Sequence, residues 1–208
     1  MLAYPVVETF YSFQGEGLYA GCAAYFVRLF GCPVKCPWCD TKNSWLESEA
    51  SAPMRLDAEQ IACAASRSSC EFAVITGGEP ALHDLRELVD AFKKCEIPVH
   101  LETSGFLPKD DGVNFDWIAV SPKLHASAHE SYLLEADEFK FIVSAPSEIG
   151  VYLERFGKYL KRAKAVWLTP EYSVSKSPEV LAAISEAVAL YGAPLRAGFQ
   201  LHKLYSAR

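Results

Sequence analysis

The sequence is short of the features that mark several classes of protein. It has no long hydrophobic run: its richest stretches, such as AAYFVRLFG, hold a charge and fall far short of the about 20 apolar residues that a bilayer needs. No basic region opens the N-terminal MLAYPVVETF and no signal-peptide core follows it, so the chain is expected in the cytoplasm, with no membrane partner. Positive charge is not in excess. With 20 Lys and Arg against 26 Asp and Glu, the net charge is −6, which argues against a basic surface that tracks nucleic-acid phosphates. Repeats, low-complexity tracts and a convincing linker are all missing, so residues 1–208 are expected to form a single domain. Cysteine is the exception, with seven residues. In a reducing compartment an odd number of mostly scattered cysteines reads as free thiols or metal ligands rather than disulfides.

What is present is alternation. AAYFVRLF (23–30), EFAVIT (71–76), IPVHLET (97–103), DWIAVS (116–121), EFKFIV (138–143) and AVWLTP (165–170) read as strands, with PLRAGFQLH (194–202) as a last candidate. LDAEQIACAASR (56–67, Asp57 as N-cap), LHDLRELVDAFKKC (82–95), SEIGVYLERFGKYL (147–160) and SPEVLAAISEAVALYG (177–192) read as helices. Strands alternating with helices argue for parallel βαβ units, and polar or turn residues follow most of the strands, where ligands sit in such folds. A complete eightfold barrel usually takes about 250 residues. The expectation is therefore an α/β fold, an incomplete TIM-like barrel of about six βα units.

The densest chemistry lies in GCPVKCPWCDT (31–41), which places Cys32, Cys36 and Cys39 within eight residues. Three thiolates can hold three corners of a cubic iron–sulfur cluster and leave the fourth iron open to a substrate, the same logic as a catalytic zinc with an open position. The alternatives are a zinc site with a fourth ligand elsewhere and thiols without a ligand role; zinc sites more often pair two separated C-x-x-C units, and no second unit occurs. Cys63 and Cys95 fall in helices and read as small core residues. Arg28 interrupts an apolar strand, so its charge needs a partner or a polar cavity; a structural salt bridge and a bidentate hold on a ligand carboxylate both satisfy it.

The C-PVK-C-PW-C spacing after a strand resembles the radical S-adenosylmethionine (SAM) superfamily. FQGEG (13–17), FVRLFGC (26–32), CDT (39–41), TGGEP (76–80), LETSG (101–105), SPK (121–123) and QLHK (200–203) resemble, in order and over nearly the whole chain, the 7-carboxy-7-deazaguanine synthase family. The resemblance implies a 4Fe–4S cluster on Cys32, Cys36 and Cys39, SAM on its open iron, and a Mg²⁺ ion on Thr41 near the substrate carboxylate. It implies SAM contacts from Trp38, Asp40, Gly78, Glu79, Glu102, Ser121, Pro122, Lys123, Thr169, Pro170, Glu171 and Tyr172. Glu79 is expected to accept from the SAM ammonium and Glu102 from the ribose hydroxyls. The substrate, 6-carboxy-5,6,7,8-tetrahydropterin, is expected to meet Phe13, Gln14, Gly15, Glu16, Arg28, Thr76, His202 and Arg208. Glu16 and Gln14 suit the N–H donor edge of the pterin, and Arg28 its carboxylate. A reductant such as flavodoxin or ferredoxin and a homodimer are implied partners. Two rivals stay open at this point: a radical SAM enzyme that activates a protein glycine, and a zinc-stabilised binding module without catalysis. Colour separates the second, because an iron–sulfur protein is brown and a zinc protein colourless.

Overall fold

A computed structural model describes residues 2–46 and 52–207. Nine strands form one sheet in the order β3-β1-β2-β4-β5-β6-β7-β8-β9. They are β1 Ala3–Phe13, β2 Ala23–Leu29, β3 Met54–Asp57, β4 Phe72–Gly77, β5 Val99–Thr103, β6 Trp117–Val120, β7 Glu138–Val143, β8 Ala165–Pro170 and β9 Leu195–Ala197. The run from β2 through β9 is parallel, while β1 pairs antiparallel with both β2 and β3. Helices α1 Ala58–Ala65, α2 Arg86–Lys94, α3 Glu130–Glu135, α4 Ser147–Leu160 and α5 Pro178–Tyr191 join the parallel strands, and α6 Leu201–Leu204 ends the chain. This is the incomplete βα barrel that the alternation implied, with an antiparallel hairpin added at its opening edge.

Local chemistry sets most boundaries. Asp57 caps α1 through a capping box: its carboxylate accepts from Gln60 N at 2.8 Å while the Gln60 side chain accepts from Asp57 N at 3.0 Å. The helix expected from residue 82 starts later. Pro80–Leu82 form a single 3₁₀ turn and α2 begins at Arg86. The strand expected over 194–202 stops at Ala197, because Gly198 lies against Thr169, where any Cβ would collide with the threonine side chain. The backbone then turns so that Leu201 N donates to Gly15 O at 2.8 Å. Strand β1 was not expected. A bulge between Val6 and Glu8 breaks its register on β2 and with it the alternation that marks a strand.

The two faces of the sheet differ. Residues such as Val27, Ile75, Leu101, Val120, Phe139, Phe141, Val166 and Leu168 pack outward into the main core under the helices. On the concave face, where period-two alternation puts their neighbours, there are two tiers. The lower is aromatic: Tyr19, from the loop joining β1 to β2, meets Phe72, His100 and Trp117 edge-on at 5.3, 4.6 and 4.9 Å, and His100 stacks on Phe72 at 3.9 Å. Nearer the strand C-termini, β2, β4, β5 and β7 carry Arg28, Thr76, Glu102 and Lys140, and Ser121 follows β6. The aromatic tier and its Tyr19 plug form a floor, and the polar tier faces a cavity above it.

Candidate active site

The cavity has a volume of about 300 Å³ and is lined by residues from both ends of the chain. Cys32, Cys36 and Cys39 all lie in its wall, together with Trp38, Asp40 and Thr41. The turn that carries them is tight: Lys35 has a φ of 49°, a left-handed conformation unusual for a non-glycine residue, and Cys39 N donates to Cys36 O at 3.1 Å. The adjoining GGEP turn presses against it. Gly78 lies so near Gly31 O and the Cys32 side chain that a Cβ has no room, and Glu79 N donates to Gly31 O at 2.7 Å. Burial pushes the Cys36 thiol up and the Lys123 ammonium opposes that push, while burial lowers Lys123 itself.

These residues fit a cluster. Three thiols share one wall of a cavity beside a cation. Among the described residues no three His, Cys, Asp or Glu converge as ligands of one metal ion; the corners of a cube hold their thiolates farther apart than a single ion does. Trp45, in the same wall, has an indole N–H that is sealed from solvent and without a partner among the described residues. A buried donor left open at a cavity wall is the mark of a site completed by a ligand. The remaining cysteines, Cys22, Cys63, Cys70 and Cys95, are unpaired thiols outside this wall, and Cys63 and Cys95 are exposed rather than the core residues expected.

At the other end of the cavity the polar side chains interlock. The loop between β1 and β2 brings Gln14 and Glu16, β5 brings Glu102, β7 brings Lys140 and the last turn brings Gln200. Lys140 Nζ donates to Glu16 Oε2 at 3.0 Å and also contacts Glu102 Oε2. Gln14 Nε2 donates to Glu102 Oε1 at 3.0 Å, and Gln200 Nε2 to Glu16 Oε1 at 2.9 Å. Burial works against the charge on Glu16, but the Lys140 ammonium and the Gln200 amide outweigh it and hold its carboxyl below the usual range. Burial, with Glu16 and Glu138 nearby, raises Glu102, and the ammonium in contact opposes that rise. Lys140 is driven well above an ordinary lysine, because Glu102, Glu16 and Glu138 overcome its desolvation. It is therefore a permanent cation.

Arg28 makes the structural salt bridge that its position allowed, and it also borders the cavity. Its Nε donates to Glu8 Oε1 at 2.9 Å, while Nη1 reaches Thr41 Oγ1 at 3.4 Å inside the cavity. Thr41 in turn donates to Asp40 Oδ1 at 2.9 Å. Phe13, Gly15, Thr76, Gly78, Ser121, Lys123, Pro170, Glu171, Tyr172 and His202 also line the cavity. Lys123 Nζ donates to Ser121 Oγ at 2.6 Å, and Ser121 Oγ donates to Lys140 O at 2.8 Å. His202 fills the space where Gly15 lacks a side chain, and burial lowers its pKa.

Three expected residues sit elsewhere. Glu79 is fully buried behind the wall, accepting from Thr103 Oγ1 at 2.6 Å, Ser104 N at 2.8 Å and Ala81 N at 3.1 Å. Its oxygens brace the GGEP turn and are not turned to an incoming ammonium. Pro122 and Thr169 are buried beside the cavity rather than in its wall. Glu102, expected at a ribose, stands with Gln14, Glu16 and Lys140. Arg208 lies outside the described residues. Lys140 and Gln200 were missed as site residues. The signal for Lys140 was the one used for Arg28, a single cation inside an apolar strand.

Comparison with known proteins identifies the family. Residues 27–120 match the Radical SAM superfamily model. The chain is 35% identical over 207 residues to 7-carboxy-7-deazaguanine synthase of Synechocystis sp., covering 100% of this chain and 95% of the relative. It is 34% identical over 200 residues to the synthase of Flavobacterium psychrophilum, covering 96% and 90%. The crystal structure of QueE from Escherichia coli superposes with a TM-score of 0.81 at 29% identity over 96% of this chain and 95% of that one. The chain belongs to the 7-carboxy-7-deazaguanine synthase family of radical SAM enzymes.

Proposed function

We propose that this chain converts 6-carboxy-5,6,7,8-tetrahydropterin to 7-carboxy-7-deazaguanine, contracting the ring with loss of ammonia, in the biosynthesis of 7-deazapurines such as queuosine. The observation that carries the reading is the sharing of one cavity by the cysteine triplet and the tier of Glu16, Arg28 and Glu102. A charge-lined cavity of about 300 Å³ suits a small polar heterocycle better than the loop of a protein substrate. Cys32, Cys36 and Cys39 hold the 4Fe–4S cluster. With SAM bound and one electron supplied, by flavodoxin or ferredoxin in this proposal, the cluster would supply radical chemistry at the carbon that bears the substrate carboxylate.

The chain supplies binding and orientation. Gly78, Ser121, Lys123 and the Pro170–Tyr172 segment border the SAM end. Glu16 and Glu102 accept from the N–H edge of the pterin. Glu8 fixes the plane of Arg28, which frees the outer edge of its guanidinium for the substrate carboxylate. His202, neutral near pH 7, closes the cavity over the ring. Thr41 is the proposed Mg²⁺ ligand, with waters and the substrate carboxylate filling the other positions. A homodimer is part of the same proposal.

Anaerobic reconstitution followed by mass spectrometry of reactions with SAM and the carboxypterin tests the reading. The expected product has lost the elements of ammonia, while SAM cleavage without pterin turnover would overturn it. In the same assay Thr41→Ala should keep the cluster and lose most of the Mg²⁺ stimulation, and Thr41→Ser should stay near the parent. An unchanged Mg²⁺ response in Thr41→Ala would reduce the hydroxyl to a turn residue.

A further inference from the structure

Lys140 is carried by no motif, yet it sits at the centre of the ligand end. Its side chain is 7% exposed, and its ammonium touches carboxylates from two separate elements, Glu16 on the β1–β2 loop and Glu102 on β5. Two positions earlier on the same face of β7, Glu138 anchors the same loop. It accepts from Leu18 N at 3.0 Å and from the indoles of Trp117 and Trp167 at 3.1 and 2.8 Å. Gly17, with a φ of 76°, lies against that carboxylate, so that any side chain there would collide with it. Strand β7 thus fixes the loop at two points, and Lys140 is the point that faces the cavity.

Two carboxylates brought this close in a buried site do not both stay ionised without a cation between them. A carboxyl that takes a proton becomes a donor on one oxygen and stops accepting there. We propose that Lys140 is a positioning and specificity-determining residue, which ties Glu16 to Glu102 and keeps both as acceptors, so that the site selects heterocycles whose edge presents adjacent N–H donors. The proposal rests on the pterin reading given above and adds the group that enforces it. The ligand class it selects is the 2-amino-4-oxopyrimidine edge. A carbonyl in place of the amino group would point an acceptor at a carboxylate and be rejected.

The test is equilibrium binding of 6-carboxypterin and of 6-carboxylumazine, which has a carbonyl where the pterin has its amino group, to the reconstituted protein with SAM present. The parent should prefer the pterin by roughly 100-fold or more. Lys140→Met should weaken pterin binding by at least about tenfold and collapse the preference below about tenfold, while SAM affinity stays close to the parent's. Lys140→Arg, which keeps a cation between the carboxylates, should recover most of the preference. If Lys140→Met does not fold, Lys140→Gln, which keeps a hydrogen-bond donor but no charge, must still lose the preference. Retained preference in either charge-deleted protein, or equal weakening of both heterocycles, overturns the role. A parent that binds both heterocycles alike, or neither, overturns the pterin reading itself and is seen before any variant is made.

Discussion

At one end of the cavity Lys140, Glu16, Glu102, Gln14 and Gln200 already satisfy one another, across four separate elements of the chain. At the other end Cys32, Cys36 and Cys39 stand on a short turn as free thiols, and the nearby Trp45 indole has no partner among the described residues. The first end is assembled by the protein's own charges, which hold its shape before any ligand arrives. The second is completed by what it binds. Preorganised polar groups cost little reorganisation on binding, whereas a cluster site draws its order from the metal–ligand bonds themselves. The ligand end should therefore act as a template and the cofactor end as a socket.

That contrast can be broken most severely at the socket. Cys36→Ala should abolish cluster absorbance and SAM cleavage while leaving 6-carboxypterin binding near the parent's, because no thiol belongs to the polar tier. Cys63→Ala and Cys95→Ala should change neither measurement. Loss of pterin binding along with the cluster would show that the two ends are not independent.

The template is tested next through its anchor. Glu138→Ala leaves two indole N–H groups and Leu18 N without their acceptor in a buried place, and urea unfolding should show a loss of about 3 kcal/mol or more. A loss below about 1 kcal/mol would mean that the loop is held by other contacts.

Beneath the template, His100 gives a pH signature. Burial in the aromatic tier lowers its pKa to about 4, against the partial opposition of Asp116 and Asp137. The unfolded chain binds a proton near pH 6.5 that the folded chain refuses, so this contribution is intact above about pH 6.5 and is lost as pH falls toward 4. It amounts to about 3 kcal/mol at the lower end. His100→Phe retains an aromatic ring against Phe72 and should flatten the difference in stability between pH 7 and pH 5. A variant with the parent's slope would place the acid sensitivity elsewhere.

The smallest expected effect lies where the two ends meet. Arg28→Lys keeps a charge but loses the guanidinium that spans Glu8 and Thr41. Pterin affinity should fall by about tenfold, equivalent to about 1.4 kcal/mol, with little change in SAM binding. Unaltered pterin affinity would leave the Glu8 ion pair as the whole role of Arg28.

What the sequence made legible follows from how local each signal is. The thiol triplet, TGGEP and LETSG are contiguous, so their chemistry can be read where it stands, and strong alternation located most of the parallel strands. Glu79 shows the limit. Its place in TGGEP was readable, but Thr103 and Ser104, which occupy its oxygens, come from another strand end. Lys140 and Glu138 alternate with Phe139 and Phe141 in EFKFIV, and only the curvature of the sheet reveals that their face is the inside of a barrel. Gln200 became a site residue because Gly198 ends β9 early and turns the chain back over Gly15. In β1, one bulge was enough to hide a strand of eleven residues.

The loop of residues 14–22 closes a hairpin, since β1 and β2 pair antiparallel on either side of it. Closure of that kind is a microsecond event. Its anchors, however, are remote: Glu16 meets Lys140 124 positions along the chain and Gln200 184 positions along. The hairpin can form early, but it acquires its binding geometry only after β7 and the last turn have docked, and contacts of such long range form slowly. Ligand affinity is thus a property of the whole sheet. A pterin at one hundred times its dissociation constant should stabilise the native state by about 2.7 kcal/mol. Hydrogen exchange should then slow in β1 and in β7 together, as one cooperative unit rather than as a loop and a strand.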